Sequence, residues 1–117
     1  MSKLKIHVGE SLEAVGERVK DAVRRDSKGE RVREHHVSFD SFETLAKVLT
    51  PRRLELLRYV HRHPVASVRA LAHALDRDYR RVHEDVETLT EAGLLARADE
   101  GTGVTAPFDA IETRIAL

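Results

Sequence analysis

Between Thr50 and Gly103 the apolar residues fall into three short helical runs followed by an alternating hairpin, and this order narrows the possible folds more than any other feature. Thr50-Pro51 is a start signal, an N-cap hydroxyl followed by a proline whose missing N–H costs nothing at the first helical position. Leu54, Leu57 and Val60 recur at helical spacing until His63-Pro64 closes the run. Ser67 caps a second helix carrying Val68, Leu71, Ala72 and Leu75 on one face. The polar turn Asp76-Arg77-Asp78 is too short for anything but a sharp corner. Asp78 then caps a third helix, in which Val82, Val86 and Leu89 lie at i, i+4 and i+7, and Gly93 ends it in the left-handed C′ position. After Gly93 the period drops to two. Leu95, Arg97 and Asp99 alternate with Ala96 and Ala98, Glu100-Gly101-Thr102-Gly103 forms a turn, and Val104 to Phe108 returns. Two glycines at the tip permit the positive φ angles of a tight hairpin. The pattern predicts an α+β fold, a winged helix-turn-helix with an N-terminal strand-helix-strand extension.

A generic helical core with a hairpin competes with this reading on pattern alone, and charge placement shifts the balance. The chain carries 20 basic and 20 acidic residues, a formal charge of zero. From Arg52 to Arg81, however, eight arginines (52, 53, 58, 62, 69, 77, 80, 81) stand against Glu55, Asp76 and Asp78, a net of +5. From Glu84 to Glu100 six acids face only Arg97, a net of −5. The positive end coincides with the N-terminus of the third helix, where the helix dipole adds attraction for phosphate. In a helix-turn-helix that end enters the major groove of duplex DNA. Arg80 and Arg81 are therefore expected on guanine edges, with His83 and Glu84 on the same exposed surface. Ser67, Arg69 and Arg77 are expected on backbone phosphates, and Arg97 and Thr102 reach a neighbouring phosphate or the minor groove from the hairpin. Tyr79 either touches phosphate or packs structurally.

Residues Phe42 to Phe108 resemble a family of small archaeal and bacterial winged-helix proteins predicted to be transcriptional regulators, itself similar to the MarR and ArsR groups. The resemblance rests on Leu49-Thr50-Pro51-Arg52-Arg53-Leu54-Glu55-Leu56-Leu57, on Ser67-Val68-Arg69-Ala70-Leu71-Ala72, on Arg77-Asp78-Tyr79-Arg80-Arg81-Val82-His83-Glu84-Asp85-Val86, and on Leu89 and Gly93-Leu94-Leu95. The Arg-Asp-Tyr-x-x-Val-x-x-Asp-Val run is its most distinctive part. It implies a cytoplasmic, dimeric DNA-binding repressor that controls its own operon. It also implies a protein partner encoded by a neighbouring gene, as in antitoxin-like relatives. The first ~40 residues match less clearly: MarR proteins place dimerising helices where this chain reads as strands.

At 117 residues the chain is long enough for one core, and 41% hydrophobic with 34% charged residues fits a globular protein. With no cysteine, disulfides, thiolate zinc sites and cysteine redox chemistry are excluded. No apolar run approaches the ~20 residues that span a membrane, and no signal-peptide core is present, so a cytoplasmic protein is expected. Residues 1–39 read as a strand-helix-strand extension and 40–117 as the DNA-binding domain with a C-terminal strand. In the extension Leu4, Ile6 and Val8 alternate with Lys3, Lys5 and His7, a helix runs from about Glu10 to Arg25, and Arg31 to Phe39 forms a second strand. Asp26-Ser27-Lys28-Gly29 reads as the turn between them, and Asp40 with Glu43 as a capping box. Two parallel strands are too few for stability, and the alternation of Ile111, Thr113, Ile115 and Leu117 offers a third. The exposed edges of such a sheet predict that this region forms a homodimer.

His61 and His63 lie two apart on a helix, and His35 and His36 are neighbours on a strand, so neither pair has chelating geometry and no metal is expected. No phosphate loop, dinucleotide fingerprint, nucleophile elbow or His-Glu-x-x-His occurs, so neither a cofactor nor catalysis is expected. The serious competitor is a winged helix that contacts protein rather than DNA, with the acidic half of the third helix and the hairpin as its working surface.

Overall fold

The computed structural model describes residues 2–9, 12–27, 34–98 and 101–117. Its elements are β1 (Lys3–Val8), α1 (Leu12–Ser27), β2 (Glu34–Phe39), α2 (Phe42–Val48), α3 (Pro51–Arg62), α4 (Val68–Leu75), α5 (Tyr79–Glu91), β3 (Ala96–Arg97), β4 (Val104–Thr105) and β5 (Ala110–Ile115), an α+β composition. The chain divides into two units, Met1–Leu45 with Asp109–Leu117, and Ala46–Phe108. The C-terminal strand thus belongs with the N-terminal residues, although in sequence it follows the helices.

In the first unit a three-stranded sheet has the order β2-β1-β5. Both pairings are parallel: Lys3 to Val8 run beside Glu34 to Phe39 on one side and Ala110 to Ile115 on the other. The alternation in β1 predicts a strand with one buried face, yet on the other face His7 is buried too, while Lys3 and Lys5 beside it stay partly exposed. Leu4 and Ile6 are fully buried, and His7 is only 6% exposed. As the central strand, β1 has neighbours on both edges, and the His36 ring of β2 stacks on His7 with centroids 5.0 Å apart. His7 Nε2 and His36 Nδ1 are 2.8 Å apart, a hydrogen bond in which one ring must donate and the other accept. The first helix runs two residues beyond its expected end, through Ser27, so the turn expected from Asp26 begins inside it. Residues 28–33 lie outside those described, as do Glu10 and Ser11, and the second strand starts at Glu34. The capping box expected at Asp40 sits one residue later: the Thr44 N–H donates to Ser41 Oγ at 3.2 Å, and Leu45 N–H to the Ser41 carbonyl. Ser41 rather than Asp40 immediately precedes the first helical residue, so its hydroxyl faces the unsatisfied N–H groups.

In the second unit the end signals act as the sequence predicts. Thr50 accepts from Arg53 N with Pro51 at the first position, Ser67 from Ala70 N, and Asp78 from Arg81 N. Asp76 closes α4 in the left-handed region at φ 52°, which Asp tolerates better than most residues. Gly93 has φ 84° after Ala92, the last half-helical residue of α5. Leu56, Leu57, Val60, Leu71, Val82, Val86, Leu89, Leu94 and Val104 form the buried core. The hairpin is shorter than the alternation predicts, pairing only Ala96 with Thr105 and Arg97 with Val104. Pro107 lacks a backbone donor and cannot extend the ladder. Instead Val104 pairs on its other side with Val65, donating N–H to the Val65 carbonyl at 3.2 Å. The two tip glycines serve different purposes. Gly101 has φ 78°, whereas a Cβ at Gly103 would lie 2.5 Å from the Val65 carbonyl oxygen.

Candidate functional site

The polar residues singled out by the sequence separate into two groups within the second unit. The first gathers where α4 and α5 begin. Ser67 Oγ accepts from Ala70 N at 3.0 Å, fixing the start of α4 and presenting Arg69 in its first turn. The Arg69 guanidinium lies over the Tyr79 ring, 4.8 Å from its centroid, a cation–π contact that holds the two helix starts together. The Tyr79 ring in turn tilts against His83 at 5.8 Å. This places Tyr79 in a structural contact while leaving the residue 42% exposed. Thr102 Oγ1 donates to the Ala66 carbonyl at 3.1 Å, which ties the hairpin tip to the residue before the α4 cap. Arg80 and Arg81 are exposed in the first turn of α5. Their helical angles put Arg80 and Glu84 opposite Val82, Val86 and Leu89, as periodicity predicts. His83 is half-buried, with Nε2 3.7 Å from Glu87 Oε1 one turn on. Arg97 is exposed on β3. Asp99 and Glu100, expected beside it at the tip, lie outside the described residues.

The second group surrounds Asp85. Asp85 is buried on α5, yet both of its oxygens are engaged. Arg53 Nε donates to Oδ1 at 3.0 Å, and Arg77 donates through a terminal nitrogen to Oδ2 at 2.8 Å. Arg53 also donates to the Lys47 and Val48 carbonyls at 2.7 and 3.0 Å, satisfying the C-terminal end of α2. Arg77, expected to clamp phosphate from the corner, is held here instead, its side chain 15% exposed. A carboxylate left alone in that position would carry a large desolvation cost, and two guanidinium groups relieve it. Arg53 and Asp85 lie 32 residues apart, so no local pattern marks the pair.

This changes the electrostatics. Arg53 and Arg77 are committed to Asp85, while the other six arginines of the run (52, 58, 62, 69, 80, 81) are exposed. The positive surface is smaller than the count of eight implies: Arg52, Arg69, Arg80 and Arg81 lie in the first turns of α3, α4 and α5, and Arg58 and Arg62 in the second half of α3. Arg52, not picked out by the sequence as a contact residue, lines an open groove with Asp76, Arg77, Asp78, Arg81, Glu84 and Asp85. Among the described residues no cluster of His, Asp and Glu has the arrangement of a metal site. His61 Nδ1 is 2.7 Å from the Ala106 carbonyl, a contact that ties α3 to the return segment. No described helix is long and apolar enough to cross a membrane.

The family model described as HVO_A0114 matches residues 48–113, from the end of α2 into β5, which is more than half of the chain. No curated protein and no solved structure matches it.

Proposed function

The chain belongs to the HVO_A0114 family, a membership that assigns no activity by itself, and from the geometry of Ala46–Phe108 we propose that it is a winged helix-turn-helix protein that binds duplex DNA sequence-specifically. The observation that carries this reading is the gathering of Arg69, Tyr79, Arg80 and Arg81 at the adjoining starts of α4 and α5, with the hairpin tip tied beside them through Thr102. The Val65–Val104–Arg97 pairing is what a wing needs in order to stay beside the helices. In this reading α5 enters the major groove N-terminus first, with Arg80 and Arg81 on guanine O6 and N7. Arg69, Arg52 and the Ser67 hydroxyl meet phosphates, and Arg97 reaches an adjacent one. Asp85 holds α3 and the α4–α5 corner in register so that α5 projects at a fixed angle. The resemblance to MarR- and ArsR-like regulators extends the proposal to a cytoplasmic, dimeric transcriptional repressor.

The test is a mobility-shift and footprinting series on the duplex upstream of the protein's own gene, with random duplex as competitor and salt varied. A protected, palindromic footprint and an affinity that falls steeply with salt are expected. Absence of any shift on either duplex at low salt would overturn the reading. One observation favours the alternative of a protein-contact module: Glu84, Glu87 and Glu91 are exposed on α5 beyond its basic first turn. Loss of a protein partner's binding on reversing these charges, with no DNA shift, would establish that alternative.

A further inference from the structure

Among the described residues β5 forms one open edge of the first unit's sheet, and it is exposed from Glu112 through Ile115. Its backbone direction follows from one bond: the Ala116 N–H donates to the Val8 carbonyl at 3.0 Å. With Val8 beside Ile115 in parallel register, even-numbered residues of β5 turn their backbone groups toward β1. Ile111, Thr113 and Ile115 turn theirs toward the open edge, which is a ready template for another strand.

We propose that this edge pairs antiparallel with the same edge of a second copy, about a twofold axis passing beside Thr113. The sequence of the strand is complementary to itself in that register only. Thr113 then faces Thr113 of the second copy, Glu112 faces Arg114 twice, Ile111 faces Ile115 twice, and Ala110 faces Ala116. The two Glu–Arg pairs fall at positions without mutual hydrogen bonds, where side chains of an antiparallel ladder lie closest. The Ile pairs cover Ile115, which is 49% exposed in the single chain. Moving the axis by one residue sets Glu112 against Glu112 or Arg114 against Arg114, and moving it by two removes both ion pairs. Glu112 already has Lys3 at 3.2 Å, so its carboxylate lies between two cations in the pair. The opposite edge, β2, has no such symmetry, because Glu34 is its single acid and it has no Lys or Arg. The product is a six-stranded sheet in the order β2-β1-β5-β5-β1-β2, an isologous interface. It deepens the dimeric part of the reading above and holds whether or not the dimer binds DNA.

Because the chain has no cysteine, a single introduced thiol reports the register cleanly. Facing residues of a hydrogen-bonded antiparallel pair have Cα atoms about 5.5 Å apart, within disulfide range. Thr113→Cys should therefore form a disulfide-linked dimer on mild oxidation. Glu112→Cys and Arg114→Cys should not, since their own copies lie diagonally beyond about 7 Å. In sedimentation, Arg114→Glu and Glu112→Arg should each weaken self-association at least tenfold. Mixing the two should restore a dimer of one of each, because both facing pairs are then opposite in charge. A wild-type chain that is monomeric at tens of micromolar would overturn the proposal. So would a Thr113→Cys that stays uncrosslinked, or an Arg114→Glu that remains fully dimeric. A disulfide-trapped dimer that shifts no duplex would count against the DNA reading alone.

Discussion

Asp85 shows how a single residue changes what a charge count means. Its two guanidinium partners keep 15–18% side-chain exposure and the carboxylate 13%, enough burial for the ion pairs to stabilise the α3–α5 arrangement. Asp85→Ala leaves both arginines facing a low-dielectric site without a counter-charge and should destabilise the second unit by about 3 kcal/mol, read by urea unfolding. Arg80 has no such structural partner among the described contacts, so its truncation tests function rather than folding. Arg80→Ala should leave the melting temperature unchanged and weaken specific DNA binding by about 1–3 kcal/mol, relaxing preference at one base position. Arg69→Ala should instead weaken specific and random duplex about equally and lower the salt slope by roughly one. Intact affinity in both arginine variants would count against the proposed DNA-binding surface. The histidines carry a pH prediction. Burial first, then the nearby Arg18, holds the His36 imidazole below its usual pKa, with Glu34 partly opposing and Lys5 reinforcing. A base with a depressed folded pKa binds fewer protons folded than unfolded, so stability is lost as pH falls from about 6.5 toward the folded value. Thermal denaturation should show the first unit weakening across that window, and His36→Gln should flatten the dependence.

At the scale of elements, helix starts and stops were legible because capping is local. Thr50, Ser67 and Asp78 each satisfy an N–H three residues on, and Gly93 supplies the positive φ after α5. Strand ends were less legible, because a ladder ends where its partner ends. Val104 to Phe108 alternates as a strand should, yet pairing with β3 stops at Thr105. The lone Val65 bridge has no local signature at all; it exists because the segment before α4 passes the far side of β4. Gly103 is the residue that this passage requires. Gly103→Ala must push the Val65 carbonyl aside and should cost about 1–3 kcal/mol, seen as a lowered melting temperature. Gly101→Ala acts through its positive φ alone and should cost about 1 kcal/mol. If Gly103→Ala proved the milder of the two, the close approach would not be what holds the hairpin.

At the scale of the molecule, the second unit contains its own core from Leu56 to Val104 and each of the sequence-predicted contact residues. A fragment spanning residues 46–108 should therefore unfold cooperatively in a circular-dichroism melt, at lower temperature than the full chain because so short a chain buries proportionally less surface. It should bind a single half-site but lose the tighter binding to a palindrome, since the paired edge of β5 is gone. A fragment that bound the palindrome as tightly as the full chain would detach dimerisation from the first unit. A fragment without a cooperative transition would show that the second unit depends on the first.

Local chemistry wrote much of this protein into its sequence: the order of helices, their caps, the sharp corner at Asp76-Arg77-Asp78 and the face on which Arg80 is exposed. Each depends on residues within about one or two turns of one another, and periodicity reads such ranges directly. The tertiary structure decided what depends on distant partners. It set β5 beside β1, although more than 100 residues separate them, and so determined which edge stays open. It drew Arg53 and Arg77 onto Asp85, turning one expected phosphate contact, Arg77, into a strut. It buried His7 by making β1 the central strand. Charge and alternation describe what a side chain offers, whereas the partner that takes up the offer is chosen by the packing of segments far apart in the chain.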